Sequence, residues 1–307
     1  MPDTNAAALI GVDWGTTHLR AYRISGDGHA LGRRQSARGV SSVRGGEFAA
    51  ALDEIIGDWS QGSLSILLCG MVSSRQGWRE VPYIECPASL DEVSSGLVRI
   101  ETLRGDAWIV GGLSIQDSRE RHDVMRGEET QILGAYEGTG RRLIIAPGTH
   151  SKWSIVHNGT LERFRTYLTG ELYAVLREHS SLGWAMEGSA AACDDSSFLA
   201  GIQEARADSD LSHTLFTVRT RTLFEGCKPA EQAAYLSGIL IGTEILSGLK
   251  HHPADPITLI ASASLGRWYL RAFSILGVSD VKFVAAEDAV VQGLWKLWRL
   301  RGAHDER

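Results

Sequence analysis

Two stretches of the chain carry the same succession of apolar runs and polar breaks. The first runs Ala8-Leu9-Ile10-Gly11-Val12-Asp13-Trp14-Gly15-Thr16-Thr17, alternates through Leu19, Ala21, Tyr22 and Ile24, turns at Gly26-Asp27-Gly28 and resumes from Ala30 to Ala37. The second runs Leu143-Ile144-Ile145-Ala146-Pro147-Gly148-Thr149-His150-Ser151, continues through Trp153, Ile155 and Val156, turns at Asn158-Gly159 and resumes from Leu161 to Leu168. Alternation around Asn-Gly is a strong hairpin signal, because both central residues of a type I′ turn need positive φ. Each half therefore opens as strand, tight polar turn, strand, hairpin, strand.

Beyond these openings the pattern switches to helices alternating with short apolar strands. The first half carries a helix from Glu47 to Trp59 and strands at Ile66 to Met71 and Trp108 to Leu113; the second has strands at Ile257 to Ser262 and Val281 to Ala286 around a helix from Leu265 to Leu276. Strands joined by amphipathic crossovers imply mixed sheets whose later strands are parallel. Pro229 to Leu249 reads as a buried helix opened by proline, and Glu287 to Arg301 as an amphipathic helix. The expectation is α/β: two duplicated domains with mixed sheets flanked by helices and a central cleft, residues 1–137 and 138–307, with a helical insertion near 189–228.

Composition excludes several classes. The chain has 307 residues, 43% hydrophobic and 22% charged, with a net charge of -6. Those values fit a globular two-domain chain and offer no broad attraction for nucleic acid or an anionic membrane. No apolar run is long enough to span a bilayer, so the expectation is a cytoplasmic protein with no membrane partner; a homodimer is left open. Cys69, Cys86, Cys193 and Cys227 stand apart with no CxxC pair, which reads as free core thiols. The histidines show no HxxxH or HExxH spacing and predict no metal cluster.

The two matching turns carry the chemistry. In Asp13-Trp14-Gly15-Thr16-Thr17 the backbone N–H groups and two hydroxyls can cradle phosphate, and an Asp at its head suits Mg²⁺, which keeps water and phosphate among its ligands. Gly148-Thr149-His150-Ser151-Lys152 stands at the equivalent place with glycine, hydroxyls and a lysine; Lys152 reads equally as a strand-edge residue. Glu128 and Glu129 open a helix over Thr130 to Ala135, where acidic residues favour the dipole and one carboxylate can accept the proton of an attacking hydroxyl. Glu128, Glu129, Asp13 and Asp123 are the rival bases. The loop after the strand Ile66 to Cys69, through Met71, Ser74, Arg75, Trp78 and Tyr83, lies where open α/β sheets bind ligands. Arg75 is the natural partner for a carboxylate, with Arg79, Arg119, Arg121, Arg126 and Arg165 as rivals.

These residues resemble the actin, hexokinase and Hsp70 superfamily in the position and order of the paired hairpins. More closely, the chain resembles the 2-dehydro-3-deoxygalactonokinase family, on Asp13-Trp14-Gly15-Thr16-Thr17, Gly70 to Trp78, Pro82-Tyr83, Met125 to Gln131, Pro147 to Trp153 and Thr166 to Glu171. The resemblance implies ribonuclease H-like domains. It also implies phosphoryl transfer from ATP, with Mg²⁺, to the terminal hydroxyl of 2-dehydro-3-deoxy-D-galactonate in galactonate breakdown. It implies ATP contacts at Gly15, Thr16, Thr17 and Gly148 to Lys152, with adenosine at Ser262, Ala263 and Leu265, where Ser and Ala replace the usual glycine pair. It puts the sugar acid at Met71, Ser74, Arg75, Trp78, Tyr83 and Arg126, with Glu128 and Asp13 as catalytic groups. The alternatives are a phosphohydrolase of the same superfamily, similar to exopolyphosphatase, a kinase of a related keto-deoxy acid, and a nucleotide-responsive binding protein.

Overall fold

The apolar run Ala7–Trp14 (β1) returns as Leu19–Ser25 (β2), and a second hairpin leads to Ala30–Ser36 (β3). Leu9, Ile10 and Val12 are fully buried, as a central strand covered on both faces requires. In the computed structural model residues 6–60, 64–188, 194–252 and 255–305 are described. Helix Phe48–Ile56 (α1) leads to Ser65–Cys69 (β4), which pairs in parallel with β1 so that Asp13 stands opposite Cys69. The short elements Ile84–Glu85 (β5), Ala88–Ser89 (β6) and Leu90–Ser95 (α2) precede Val98–Thr102 (β7) and Gly105–Ile109 (β8). Leu113–Gln116 (β9) and His122–Met125 (β10) then lead into Glu128–Ala135 (α3). The single strand expected from Trp108 to Leu113 is thus two, interrupted at Val110-Gly111-Gly112.

The second half opens with Arg141–Ala146 (β11), Ser151–His157 (β12) and Thr160–Tyr167 (β13). Asn158 and Gly159 between the last two have φ of 50° and 81°, the paired positive values of the expected turn. Helices Thr169–His179 (α4), Asp195–Ala207 (α5), Leu211–Phe224 (α6) and Pro229–His251 (α7) follow. The chain ends with Ile257–Ala261 (β14), Ala263–Ile275 (α8), Val281–Ala285 (β15) and Ala286–Asp305 (α9).

Two six-stranded sheets have the orders β3-β2-β1-β4-β8-β7 and β15-β14-β11-β12-β13-β6, and a three-stranded sheet has β10-β9-β5. The repeat is explicit: β3-β2-β1-β4-β8 matches β13-β12-β11-β14-β15. Each half lays its three opening strands side by side and adds two later strands beyond the first. This is the duplicated α/β arrangement that the two matching openings imply. Where an insertion is expected, α5 and α6 each pack against the buried helix α7; residues 189–193 of that segment lie outside the described residues.

The chain forms two compact units, one of residues up to Ile144 with Ser154–Arg165 and Val284–Arg307, the other of Ile145–Trp153 and Thr166–Phe283. The first unit is centred on β1, β2, β4 and α1, with Trp14, Phe48, Leu52, Ile66 and Leu68 in its core. Among the described residues no helix is long and apolar enough to cross a membrane. The cysteine expectation holds for Cys69, which is buried; Cys86 and Cys227 are free but only half-buried, and Cys193 lies outside the described residues.

Candidate functional site

In the first unit the end of β1 becomes a tight turn in which the Gly15 N–H donates to the His18 carbonyl at 2.9 Å. The Gly15 and Thr16 carbonyls are held from behind by the N–H groups of Val40 and Ser41, at 3.0 and 3.1 Å. The exposed Thr16 and Thr17 present the outer side of the turn. Asp13, largely buried at its head, pairs with Arg20 at 3.3 Å; burial raises its carboxyl above the usual range and the Arg20 guanidinium pulls it back.

Two glycines bring further segments to this point. Gly70, just after β4, has φ +94°, and a Cβ there would stand 2.8 Å from the Trp14 carbonyl and 3.4 Å from the Asp13 carboxylate. Gly127, just before α3, has φ +105°, and a Cβ there would meet the Gly70 Cα at 3.0 Å. Only glycine allows both conformations at this spacing.

The α3 carboxylates differ sharply. Glu129 has no exposed surface; its Oε2 accepts the Gly127 N–H at 2.6 Å and its Oε1 the Thr130 hydroxyl at 3.0 Å. Burial, reinforced by the neighbouring Glu128, pushes its carboxyl up to about 7. Glu128 is half-buried and accepts the Arg126 N–H at 3.1 Å. Asp123 sits on β10, where its carboxylate accepts the Val124 N–H at 2.8 Å.

Arg126 ties this corner to the loop after β4. Its guanidinium donates to the Ser73 carbonyl and hydroxyl, both at 2.7 Å, and to the Val81 carbonyl at 3.1 Å, and it lies 4.2 Å over the Tyr83 ring. The Arg126 Nε and the Ser74 hydroxyl are buried without a partner. Met71 packs on the first unit's core. Trp78 stacks on Phe48 at 6.1 Å and meets Trp14 edge-on. Tyr83 is 43% exposed, whereas the Arg75 side chain is 87% exposed and its Nε lies 3.6 Å from the Glu80 carboxylate.

In the second unit the turn before β12 is fixed by the start of α4. The Glu171 N–H donates to the Thr149 carbonyl at 3.0 Å, and the His150 Nε2 lies 2.5 Å from the Glu171 carboxylate. Lys152 is buried, and its ammonium donates to the Thr166 hydroxyl at 2.9 Å. Ser151 is also buried, in contact with Tyr269. Ser262 caps α8, accepting the Leu265 N–H at 3.4 Å.

Beside this turn lies a cavity of about 280 Å³, lined by Gly148, Thr169, Gly170, Tyr173 and Arg177 from the turn and α4, by Ser237, Leu240 and Ile241 from α7, and by Ser264, Leu265, Trp268 and Tyr269 from α8. It combines aromatic and aliphatic walls with a few hydroxyls, the composition of a small-molecule site. Behind its wall is Glu244, fully buried on α7, whose carboxylate accepts the Trp153 indole N–H at 2.8 Å and the Tyr269 hydroxyl at 2.7 Å.

Residues 13–297 match the family described as 2-keto-3-deoxy-galactonokinase. The chain belongs to that family. A protein of Rhizobium meliloti named Probable 2-dehydro-3-deoxygalactonokinase is 38% identical over 297 residues, covering 95% of this chain and 96% of its own. The 2-dehydro-3-deoxygalactonokinase of Escherichia coli K12 is 37% identical over 292 residues, covering 94% and 96%. A solved structure from Sinorhizobium meliloti assigned to 2-dehydro-3-deoxygalactonokinase superposes with a TM-score of 0.88 at 36% identity, covering 95% of this chain and 98% of its own.

In this member of the family Asp13, Gly70, Arg126, Glu128 and Glu129 come together in the first unit, with Arg75 at its solvent edge. In the second unit Gly148 and Leu265 line the cavity, while Ser262 and Ala263 stand outside that lining. Sequence reading missed Glu244, Tyr269, Thr169 and the tethering role of Arg126. The available signal for Glu244 was a carboxylate set among the apolar residues Leu240, Ile241 and Ile245 of a buried helix.

Proposed function

We propose that the chain transfers the γ-phosphoryl group of ATP to the terminal hydroxyl of 2-dehydro-3-deoxy-D-galactonate. The observation that carries this reading is the meeting of Asp13, Gly70 and Gly127-Glu128-Glu129 at the ends of β1 and β4, in a chain whose relatives carry the kinase name. Glu128 is the general base: it is half-buried, whereas Glu129 is enclosed and held by Gly127 and Thr130. Ser74 and Arg126, each with a buried polar atom lacking a partner, receive the acid's carboxylate or hydroxyls, and Arg75 at the rim supplies further positive charge.

ATP occupies the second unit's cavity by its nucleoside, with its phosphates at the turn Gly148 to Ser151. Among the described residues no three His, Cys, Asp or Glu side chains gather as a metal cage, which suits a cation that takes one carboxylate and completes its shell with phosphate and water. Asp13 would hold Mg²⁺, which when bound neutralises charge on the transferring phosphoryl group. The chain's own groups orient the acceptor, and Glu128 takes its proton.

A coupled assay of ADP release across aldonates, 2-keto-3-deoxy acids and neutral hexoses tests the assignment. Turnover should require a keto-deoxy acid, and Glu128→Gln should lower kcat by roughly a hundredfold or more with little change in the acid's KM. Phosphate release at full rate without any acceptor, or activity confined to neutral hexoses, would overturn it.

A further inference from the structure

The lysine that the sequence offers as the cation of the turn before β12 is engaged elsewhere. Lys152 is 4% exposed, and its ammonium donates to the Thr166 hydroxyl at 2.9 Å. His150 is exposed instead, with 46% of its side chain open, and its Nε2 lies 2.5 Å from the carboxylate of Glu171, the third residue of α4. The backbone holds the two segments together. The Glu171 N–H donates to the Thr149 carbonyl at 3.0 Å, and a Cβ on Gly170 would stand 2.3 Å from the Gly148 carbonyl oxygen, so α4 can start this close to the turn only with glycine there.

A carboxylate has acceptor sites only, so this contact puts a proton on Nε2. Nδ1, which has no partner among the described residues, is then the ring nitrogen open to a ligand. With a proton on Nδ1 as well, the ring is a cation that donates outward while Glu171 balances its charge. Without His150, the same carboxylate would stand unpaired beside the turn and repel phosphate. We infer that Glu171 is a positioning residue that aims His150 Nδ1 at a phosphate oxygen of the nucleotide, making the His150 side chain, rather than Lys152, the cationic contact of this turn. Gly148, two residues before His150, lines the cavity assigned to the nucleoside. The inference rests on the proposed placement of the phosphates at Gly148 to Ser151.

The experiment measures dissociation constants of ADP and adenosine for the full chain, by calorimetry without acceptor. Wild type should bind ADP more tightly than adenosine by about tenfold or more. His150→Ala should weaken ADP roughly tenfold, the scale of one charge-assisted hydrogen bond, and leave adenosine within about twofold. Glu171→Gln keeps an acceptor for Nε2 but removes the charge, and should weaken ADP about threefold or more while His150 is present. In the His150→Ala background the same substitution should leave ADP binding unchanged or strengthen it, because there the carboxylate only repels. Both side chains are about half exposed and the bond to Thr149 is made by backbone, so neither substitution removes a contact of the core. A purely structural Glu171 would weaken ADP alike in both backgrounds. That result overturns the inference, as does an undiminished ADP affinity in His150→Ala or an equal loss for ADP and adenosine. ADP bound no more tightly than adenosine by wild type would instead remove the phosphates from this turn, whatever Glu171 does.

Discussion

Glu129 shows how far one side chain's surroundings can move its chemistry. Its carboxyl is lifted from 4.5 to about 7 by burial and by Glu128, so between those values the folded chain holds a proton that the unfolded chain has released. Stability therefore falls as pH rises through this window and levels off above it, by about 3 kcal/mol in all. Glu129→Gln, which cannot ionise, should lack the fall: the difference in thermal midpoint between wild type and variant, measured from pH 5 to 8, should move steadily in the variant's favour. A constant difference would show that Glu129 titrates normally. The two arginines contrast in the same way. Arg75→Ala should change stability by less than about 0.5 kcal/mol and act only on the acid's KM, because its side chain is exposed and its Glu80 partner stands 3.6 Å away. Arg126→Ala should cost about 3 kcal/mol in chemical denaturation as well as binding, because it releases three hydrogen bonds and a ring contact. Sequence could nominate both residues but could not rank them, since the Ser73 and Val81 carbonyls that anchor Arg126 lie some fifty residues away.

At the scale of elements, the carboxylate-bearing helix α3 is fixed at both ends. Its start depends on Gly127 at φ +105° beside Gly70, and at its end the Lys296 ammonium donates to the carbonyls of Leu133, Gly134 and Tyr136, at 3.2, 2.8 and 2.9 Å. Gly127→Ala should cost about 1 to 3 kcal/mol and reduce kcat more than KM, because the strain falls where Glu128 is aimed. Lys296→Met keeps much of the side chain's packing but strands those carbonyls, and should cost about 2 kcal/mol with KM for both substrates unchanged. Urea denaturation and steady-state kinetics on the two variants separate these outcomes, and a kinetic defect without a stability loss in Lys296→Met would contradict the capping role. The opening hairpins were legible because each rests on local signals: an apolar run, a glycine turn and, at Asn158-Gly159, two residues tolerant of positive φ. The segment from Ile84 to Met125 was legible only around Trp108, because its strands of two to five residues are too short for periodicity to register, and β5 and β8 pair with β9 and β4 some thirty to forty residues away.

For the whole molecule, the repeated order β3-β2-β1-β4-β8 and β13-β12-β11-β14-β15 gives each half the same frame, but the two frames carry different side chains. The first unit concentrates carboxylates and arginines at the ends of β1 and β4. The second places aromatic and aliphatic walls around a cavity backed by one buried carboxylate. Such a division predicts that each ligand orders its own unit. Ligand binding stabilises the native state by mass action and slows local opening where the contacts form. Hydrogen exchange should therefore show ADP protecting amides at 148–153, 169–177, 237–241 and 262–269, while the sugar acid alone protects 70–83 and 125–130. Occupancy of one unit should leave the other's amides largely unchanged, so the two patterns should add when both ligands are present. Protection of the 70–83 segment by ADP alone, with none around α8, would mean that the nucleotide sits in the first unit and that the cavity beside Gly148 serves another ligand.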